Sequence, residues 1–255
     1  MTLLHTFLLG LIQGLTEFLP VSSSGHLLLA QHLFGFDDLK QYVFFDLICH
    51  VGTLLAILIA FRKTILQIFT GEKKWLGMIF LALLPLVPLV PLVDQMKGIF
   101  SDVAYLGFFF LISALLLHAG SRYTLPSKRG GAWHPLVIGC FQALAIVPGI
   151  SRSGSTISSA RLLGWSSEEA VTFSFLLGIP TITAGVLIEG MKTVQSPEIL
   201  GDISLSGYLV GFITAFLTGW TSLYWLMQLA ERGHLGYFAY YLTALGCLSL
   251  LLFWV

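Results

Sequence analysis

Charge is what this sequence has least of. Only 10% of its 255 residues are Asp, Glu, Lys or Arg, against about 25% in an ordinary soluble domain. A chain this poor in charge cannot clothe a water-facing surface, and a soluble globular fold is excluded. The 13 Lys and Arg balance the 13 Asp and Glu, so no basic excess points to nucleic acid. The three cysteines, Cys49, Cys140 and Cys247, are scattered through apolar stretches with no Cys-x-x-Cys or metal-type spacing. They are read as buried thiols. The N-terminus has neither a basic leader nor a small-residue cleavage site, and a removable signal peptide is not expected.

What the chain does have is apolar length, at 56% hydrophobic residues. Tyr42–Phe61, Trp75–Val93, Val103–Ala119, Ala170–Ile188, Gly207–Leu229 and Gly236–Val255 are each long enough to cross a bilayer as helices, which takes about 20 residues. Pro85, Pro88 and Pro91 should distort the second of these. Two other regions are interrupted. Met1–Pro20 and Leu27–Gly35 flank the polar stretch Val21–His26, and His134–Val147 and Thr156–Gly164 flank Pro148–Ser155. Short pieces around a polar turn suggest re-entrant hairpins, tolerated at membrane depth only where protein or a cavity covers them. Trp75, Trp133 and Trp165 fall near span ends and suit an interfacial belt.

The two interrupted regions are copies. Laid on Gly139–Gly164 without gaps, Gly10–Gly35 matches at Gly10/Gly139, Gln13/Gln142, Leu15/Leu144, Ser22/Ser151, Ser24/Ser153, Gly25/Gly154, Leu33/Leu162 and Gly35/Gly164. The fold expected is an all-α integral membrane protein of two repeats, residues 1–127 and 128–255. Each is a re-entrant hairpin (about 1–35 and 134–164) followed by three transmembrane helices, six full spans in all. An odd number of spans per repeat inverts the second copy relative to the first, so the two polar turns should meet near the midplane. Basic residues set the orientation. Arg62, Lys63, Lys73, Lys74, Arg122, Lys128, Arg129 and Arg232 mark one side as cytoplasmic. Lys40, Lys97 and Lys192 share the other with Asp37, Asp38, Asp94, Asp102, Glu198 and Asp202. Both termini are then outside, and the site opens outward.

The residues at the two turns carry chemistry. An arginine at membrane depth costs about 2.5–3.5 kcal/mol on insertion scales, so Arg152 needs a function or a partner. It reads as a bidentate clamp for phosphate or carboxylate, or as the ion-pair partner of Glu17. Ser151, Ser153, Gly154, Ser155 and Thr156 begin one half-helix, and Ser22, Ser23 and Ser24 begin the other. Their free amides and positive dipole ends suit an anion, although capping alone would also explain hydroxyls there. Gln13 and Glu17, four apart, share a helix face. Glu17 is a candidate base, metal ligand or partner of Arg152, and His26 a candidate acid or base. Asp46 and His50, also four apart, could line the same cavity.

Two long stretches, Gln13-Gly-Leu-Thr-Glu17-Phe-Leu-Pro-Val-Ser-Ser-Ser-Gly-His26 and Pro148-Gly-Ile-Ser-Arg-Ser-Gly-Ser-Thr156, resemble the motifs of the undecaprenyl-diphosphate phosphatase family of the bacitracin-resistance type. The resemblance covers essentially the whole chain. It implies hydrolysis of undecaprenyl diphosphate to the monophosphate and inorganic phosphate, which recycles a carrier lipid for peptidoglycan synthesis and confers bacitracin resistance. It also implies a bacterial inner-membrane location and assistance by a divalent cation, Mg2+ or Ca2+. The family's essential residues map onto Glu17, Ser23, His26, Arg152 and Thr156, with Ser151 in support, Glu17 toward the metal, and the remaining serines, Gly154 and Gln13 toward substrate. Many members carry glutamate where this chain has Gln13, so a second carboxylate for the cation is missing. Ser23 or a water is the attacking group, and His26 or Glu17 takes the proton. A lipid-phosphate flippase and an intramembrane serine protease are the rival readings. The protease has no use for a guanidinium beside its serine. Monomer and homodimer both remain open.

Overall fold

The computed structural model describes residues 1–36, 39–100, 102–123, 131–195 and 203–254. Among them all regular structure is helical. The chain opens with two short helices, α1 (Leu3–Phe18) and α2 (Ser23–Leu33). Then come α3 (Val43–Ala60), α4 (Arg62–Thr70), α5 (Lys74–Leu83), α6 (Val93–Phe100) and α7 (Val103–Arg122). The second half repeats the order: two short helices, α8 (His134–Leu144) and α9 (Arg152–Leu162), then α10 (Ser167–Gln195), α11 (Leu205–Glu231) and α12 (Tyr237–Phe253). Six helical stretches are long and apolar enough to cross a membrane: Val43–Ala60, Lys74–Met96, Val103–Arg122, Ser167–Gln195, Leu205–Glu231 and His234–Phe253. These are the six expected from sequence. The boundary between repeats near residues 127 and 128 lies outside the described residues. So do Asp37, Asp38, Lys128, Arg129, Glu198 and Asp202, and the side chains of Lys40 and Lys97.

Local chemistry explains the breaks. α1 stops because Leu19 precedes Pro20, which drives it out of the helical region to φ −61°, ψ 143°. The second arms end alike. Gly35 (φ +75°) and Gly164 (φ +86°) take the left-handed conformation. Phe36 N then donates to Gln31 O at 3.0 Å and Trp165 N to Ala160 O at 3.1 Å, a Schellman closure in both copies. This is why both glycines recur in the repeat. In the second span, prolines spaced three apart convert Leu84–Leu92 to a 3-10 helix, whose period is three residues. Pro180, by contrast, is carried within α10. The basic segment after α3 forms the short helix α4.

Packing is by small residues. Gly10 and Gly14 of α1 lie against α11, where a Cβ on Gly10 would come within 2.6 Å of the Gly211 carbonyl and one on Gly14 within 2.6 Å of that of Ala215. Gly107 of α7 meets Gly246 of α12 in the same way, a Cβ there falling 2.8 Å from the Gly246 carbonyl. Small residues four apart let helices approach where no hydrophobic drive separates protein from lipid. Equivalent spans are neighbours: α3 packs on α10 and α7 on α12.

Polar side chains collect in the interior at the two breaks, while large apolar ones face outward. Gln13, Glu17, Ser151, Ser153, Ser155 and Thr156 are buried, while Leu115, Phe80, Leu205 and Leu251 are exposed. Two expectations fail for a related reason. Cys140 and Cys247 are exposed, and only Cys49 is buried. Trp165 is buried rather than interfacial, its Nε1 donating to His134 Nδ1 at 3.0 Å. Hydropathy cannot separate a lipid face from a protein interior, since both are apolar.

Candidate active site

The site forms where the two breaks meet. Glu17, in the last turn of α1 and 5% exposed at its side chain, is its centre. Its Oε1 accepts from Arg152 Nη2 at 2.7 Å. Its Oε2 accepts from Ser23 Oγ at 2.6 Å and from Gln13 Nε2 at 3.1 Å. His50 Nε2 stands 3.7 Å from the same oxygen, its ring held by a contact of 2.7 Å between Nδ1 and the Asp46 carbonyl. The Asp46 carboxylate in turn accepts from Gln31 Nε2 at 2.9 and 3.0 Å. The partly buried charge of Arg152 therefore has a bonded counter-charge.

Arg152 is the first residue of α9, so the helix cap sets where it points. Ser151 Oγ accepts from Gly154 N at 3.0 Å, and Ser151 N donates to Ser113 Oγ at 2.9 Å. Ser113 Oγ donates on to the Gly149 carbonyl at 3.1 Å, tying the turn to α7. Ser153 Oγ crosses to the other hairpin and donates to the Leu19 carbonyl at 3.1 Å. The guanidinium lies against α10, where a Cβ on Gly178 would fall 2.3 Å from Nη1.

Gln13, Glu17, Ser23 and Arg152 are thus brought together, and Ser151 and Ser153 hold the arrangement in place. Others point elsewhere. Thr156 Oγ1 bonds Ser174 Oγ at 2.7 Å and donates to the Arg152 carbonyl at 3.0 Å, buried away from Glu17. Ser155 Oγ is buried without a hydrogen-bond partner. Ser22 caps α2, accepting from Gly25 N at 3.4 Å, with its hydroxyl 3.5 Å from that of the exposed Ser24. Gly154 leaves its amide to the Ser151 cap, and a Cβ there would press on the Ser151 side chain at 2.9 Å. His26 meets neither Ser23 nor Glu17. Its Nδ1 lies 2.8 Å from the Ser22 carbonyl and its Nε2 2.7 Å from Tyr241 Oη. Sequence reasoning missed Ser113, Ser174, Gly178 and Tyr241. None carries a local signal, because each matters only through what the fold sets beside it.

A divalent cation fits only as a shared ligand. Among the described residues no three His, Cys, Asp or Glu side chains stand close enough to hold a metal. Gln13 Oε1 is buried with no hydrogen-bond partner, so one neutral oxygen beside Glu17 is open to a cation. A diphosphate would have to supply further oxygens.

Known proteins resemble this chain over nearly its whole length. A family model described as bacitracin resistance protein BacA matches residues 6–248. A protein of Protochlamydia amoebophila (strain UWE25) named undecaprenyl-diphosphatase is 46% identical over 255 residues, spanning 99% of each chain. Proteins of the same name from Carboxydothermus hydrogenoformans (strain ATCC BAA-161 / DSM 6008 / Z-2901) and Bacteroides fragilis (strain YCH46) are 38% and 36% identical. They cover 97% and 96% of this chain and 96% of their own length in each case.

Proposed function

The chain belongs to the family of the bacitracin resistance protein BacA, and on that premise we propose that it hydrolyses undecaprenyl diphosphate to undecaprenyl phosphate and inorganic phosphate. It is a multi-pass membrane phosphatase that returns the carrier lipid to peptidoglycan synthesis, in keeping with a family tied to bacitracin resistance. One observation carries the reading at this site. A single buried carboxylate holds a hydroxyl at 2.6 Å on one oxygen and a guanidinium at 2.7 Å on the other. A flippase needs the anion-binding arginine but has no use for a serine bonded to a carboxylate base. The hydroxyl, the base and the clamp all come from one chain, so the chemistry requires no second copy.

The proposed reaction runs as follows. The terminal phosphate draws Arg152 away from Glu17 and takes two hydrogen bonds from its planar guanidinium. The unpaired amides at the first turns of α2 and α9 face the same charge. Ser23 Oγ, or a water in its place, attacks phosphorus in line with the bridging oxygen. Glu17 Oε2 accepts the proton. The P–O bond to the lipid phosphate breaks, and that phosphate leaves with the electron pair. Where Ser23 is the attacking group, a water then attacks the phosphoserine, the Ser23 Oγ–P bond breaks with its electron pair returning to Oγ, which takes up a proton, and inorganic phosphate is released. Arg152 offsets charge on the equatorial oxygens, which is the main catalytic task in phosphoryl transfer. Glu17 and Gln13 Oε1 would hold Mg2+ or Ca2+, which would supply positive charge to the diphosphate and to the leaving oxygen. Where a water attacks, on the diphosphate or on the phosphoserine, His26 Nε2 is the alternative acceptor of its proton. Thr156 contributes by fixing the first turn of α9, through its bonds to the Arg152 carbonyl and Ser174.

Inversion of the second repeat belongs to this proposal. The odd number of spans per repeat supports it, as does the pairing of α3 with α10 and α7 with α12 that an axis between the copies would give. So do outside termini and an outward-opening site, supported by Arg62, Lys63, Lys73, Lys74, Arg122 and Arg232 lying on one side of the expected topology.

The test uses the purified protein, undecaprenyl diphosphate labelled in its terminal phosphate, and Ser23→Ala. Phosphate release by the wild type, with loss of any labelled enzyme intermediate and a fall in rate of about 10²-fold or more in the variant, fits attack by serine. A near-normal rate in Ser23→Ala leaves water as the attacking group. No release by the wild type, with transport of the lipid in liposomes, overturns the phosphatase reading.

A further inference from the structure

Tyr241, on α12, faces His26 with its ring nearly parallel, 13° between planes and 5.7 Å between centroids. Its hydroxyl is 2.7 Å from His26 Nε2. At the other end of the imidazole, Nδ1 lies 2.8 Å from the Ser22 carbonyl oxygen. A carbonyl can only accept, so Nδ1 must carry the hydrogen. The neutral ring then has its lone pair at Nε2 and receives the Tyr241 hydrogen there. The Ser22 carbonyl is aimed by an unusual backbone. Ser22 has φ +71°, and it is the one residue other than glycine at positive φ among the described residues. Strain of this sort, of order 1 kcal/mol or more, persists where surrounding structure imposes it and gathers at functional sites. Phe110 closes the ring in, its centroid 5.4 Å from that of His26. The imidazole is thus oriented from three sides, yet its basic nitrogen reaches neither Ser23 nor Glu17. Tyr241 is the group at that nitrogen, and its hydroxyl, about half exposed as a residue, is not shared with any other described side chain.

We propose that Tyr241 is a positioning residue of the phosphatase reaction, acting through His26: its hydroxyl fixes the imidazole as the Nδ1–H tautomer and holds Nε2 as the basic nitrogen facing α12. This rests on the phosphatase reading above and adds to it which nitrogen of His26 works and what holds it. The proton that His26 takes from a water attacking phosphorus enters at Nε2, the Tyr241 hydroxyl moving aside for that water. Nδ1 stays bound to the Ser22 carbonyl throughout.

Tyr241→Phe tests this, because it keeps the stacked ring and removes only the hydroxyl. Nitrogen-15 NMR on histidine-labelled protein in detergent should show His26 as a single Nδ1–H tautomer in the wild type, with the Nε2 resonance displaced in the variant. With undecaprenyl diphosphate, kcat should fall about three- to tenfold, the loss of one hydrogen bond, with KM within about twofold. In a His26→Ala background the same substitution should have no further effect on kcat. An unchanged Nε2 resonance with unchanged kcat overturns the proposal. So does a rise in KM alone, which would make Tyr241 a binding contact, or an equal loss in the His26→Ala background, which would make it independent of His26. If the wild type releases no phosphate, the phosphatase reading falls, while the NMR arm still decides whether Tyr241 holds the tautomer.

Discussion

The two helical hairpins share a plan and differ in what they hold and in how firmly they are held. Both close their second arm with the same left-handed glycine, Gly35 or Gly164. Between the arms they diverge. The second hairpin gives its positive φ to Gly149 (+93°) and leaves Ser151 extended, whereas the first gives it to Ser22 at +71°. Where the first has Glu17, Ser23 and His26, the aligned positions hold Ile146, Arg152 and Ser155. Surroundings differ as well. Helix α9 is gripped by α7, α8 and α10, and Ser153–Ala160 are buried without interruption. Helix α2 packs on α1 and α7 and leaves Ser24 exposed and Ser23 and His26 half-buried. The duplicated scaffold has thus split the work. On the proposed mechanism the deeply packed copy holds the arginine that grips phosphate, and the more open copy holds the groups that react.

That division can be broken most severely at Glu17. Glu17→Gln removes the proton acceptor and leaves the partly buried Arg152 without its counter-charge. We expect kcat for phosphate release to fall by about 10³-fold and the folded state to lose about 3 kcal/mol, read as a lower thermal midpoint in detergent. Activity within tenfold of wild type would mean that the carboxylate is not the base. The deeply packed half is tested next by Gly178→Ala. The new methyl would fall 2.3 Å from Arg152 Nη1, so the guanidinium must move. A loss of about tenfold in kcat/KM is expected with the thermal midpoint retained, while Gly185→Ala on the same helix, where nothing lies within 4 Å, changes neither. Equal effects from both would show that α9 does not depend on that fit. The smallest effect compares aligned caps. Ser22→Gly relieves a positive φ and should stabilise by about 0.5 kcal/mol. Ser151→Gly relieves none and should destabilise by about as much. Chemical denaturation of both variants should show opposite signs, and like signs would remove the distinction between the two breaks.

Much of this was legible in the sequence because bilayer thickness is a strict ruler. The six spans and the two short-armed hairpins follow from apolar length, and the recurring glycines from turn geometry. The pairing of Glu17 with Arg152 was also within reach, since a buried guanidinium must find an anion. What the sequence could not show is which neighbour covers each face of a helix. Thr156 lies in the same motif as Arg152, yet its hydroxyl turns to Ser174 because that part of α9 is packed against α10. His26 follows Ser23 by less than a turn and nonetheless bonds α12. Cys140 and Cys247 lie on exposed faces as apolar as the core, and nothing in their own neighbourhoods marks the difference.

The bond between Arg152 Nη2 and Glu17 Oε1 has a consequence for the end of the catalytic cycle. A guanidinium with no anion of its own would hold every phosphate more tightly, the product included, and release would slow. Here the carboxylate waits within reach. In the proposed cycle Glu17 can reclaim the arginine each time the cleaved phosphate loosens and restore a neutral pair, so the resting ion pair would also shorten the hold on the product.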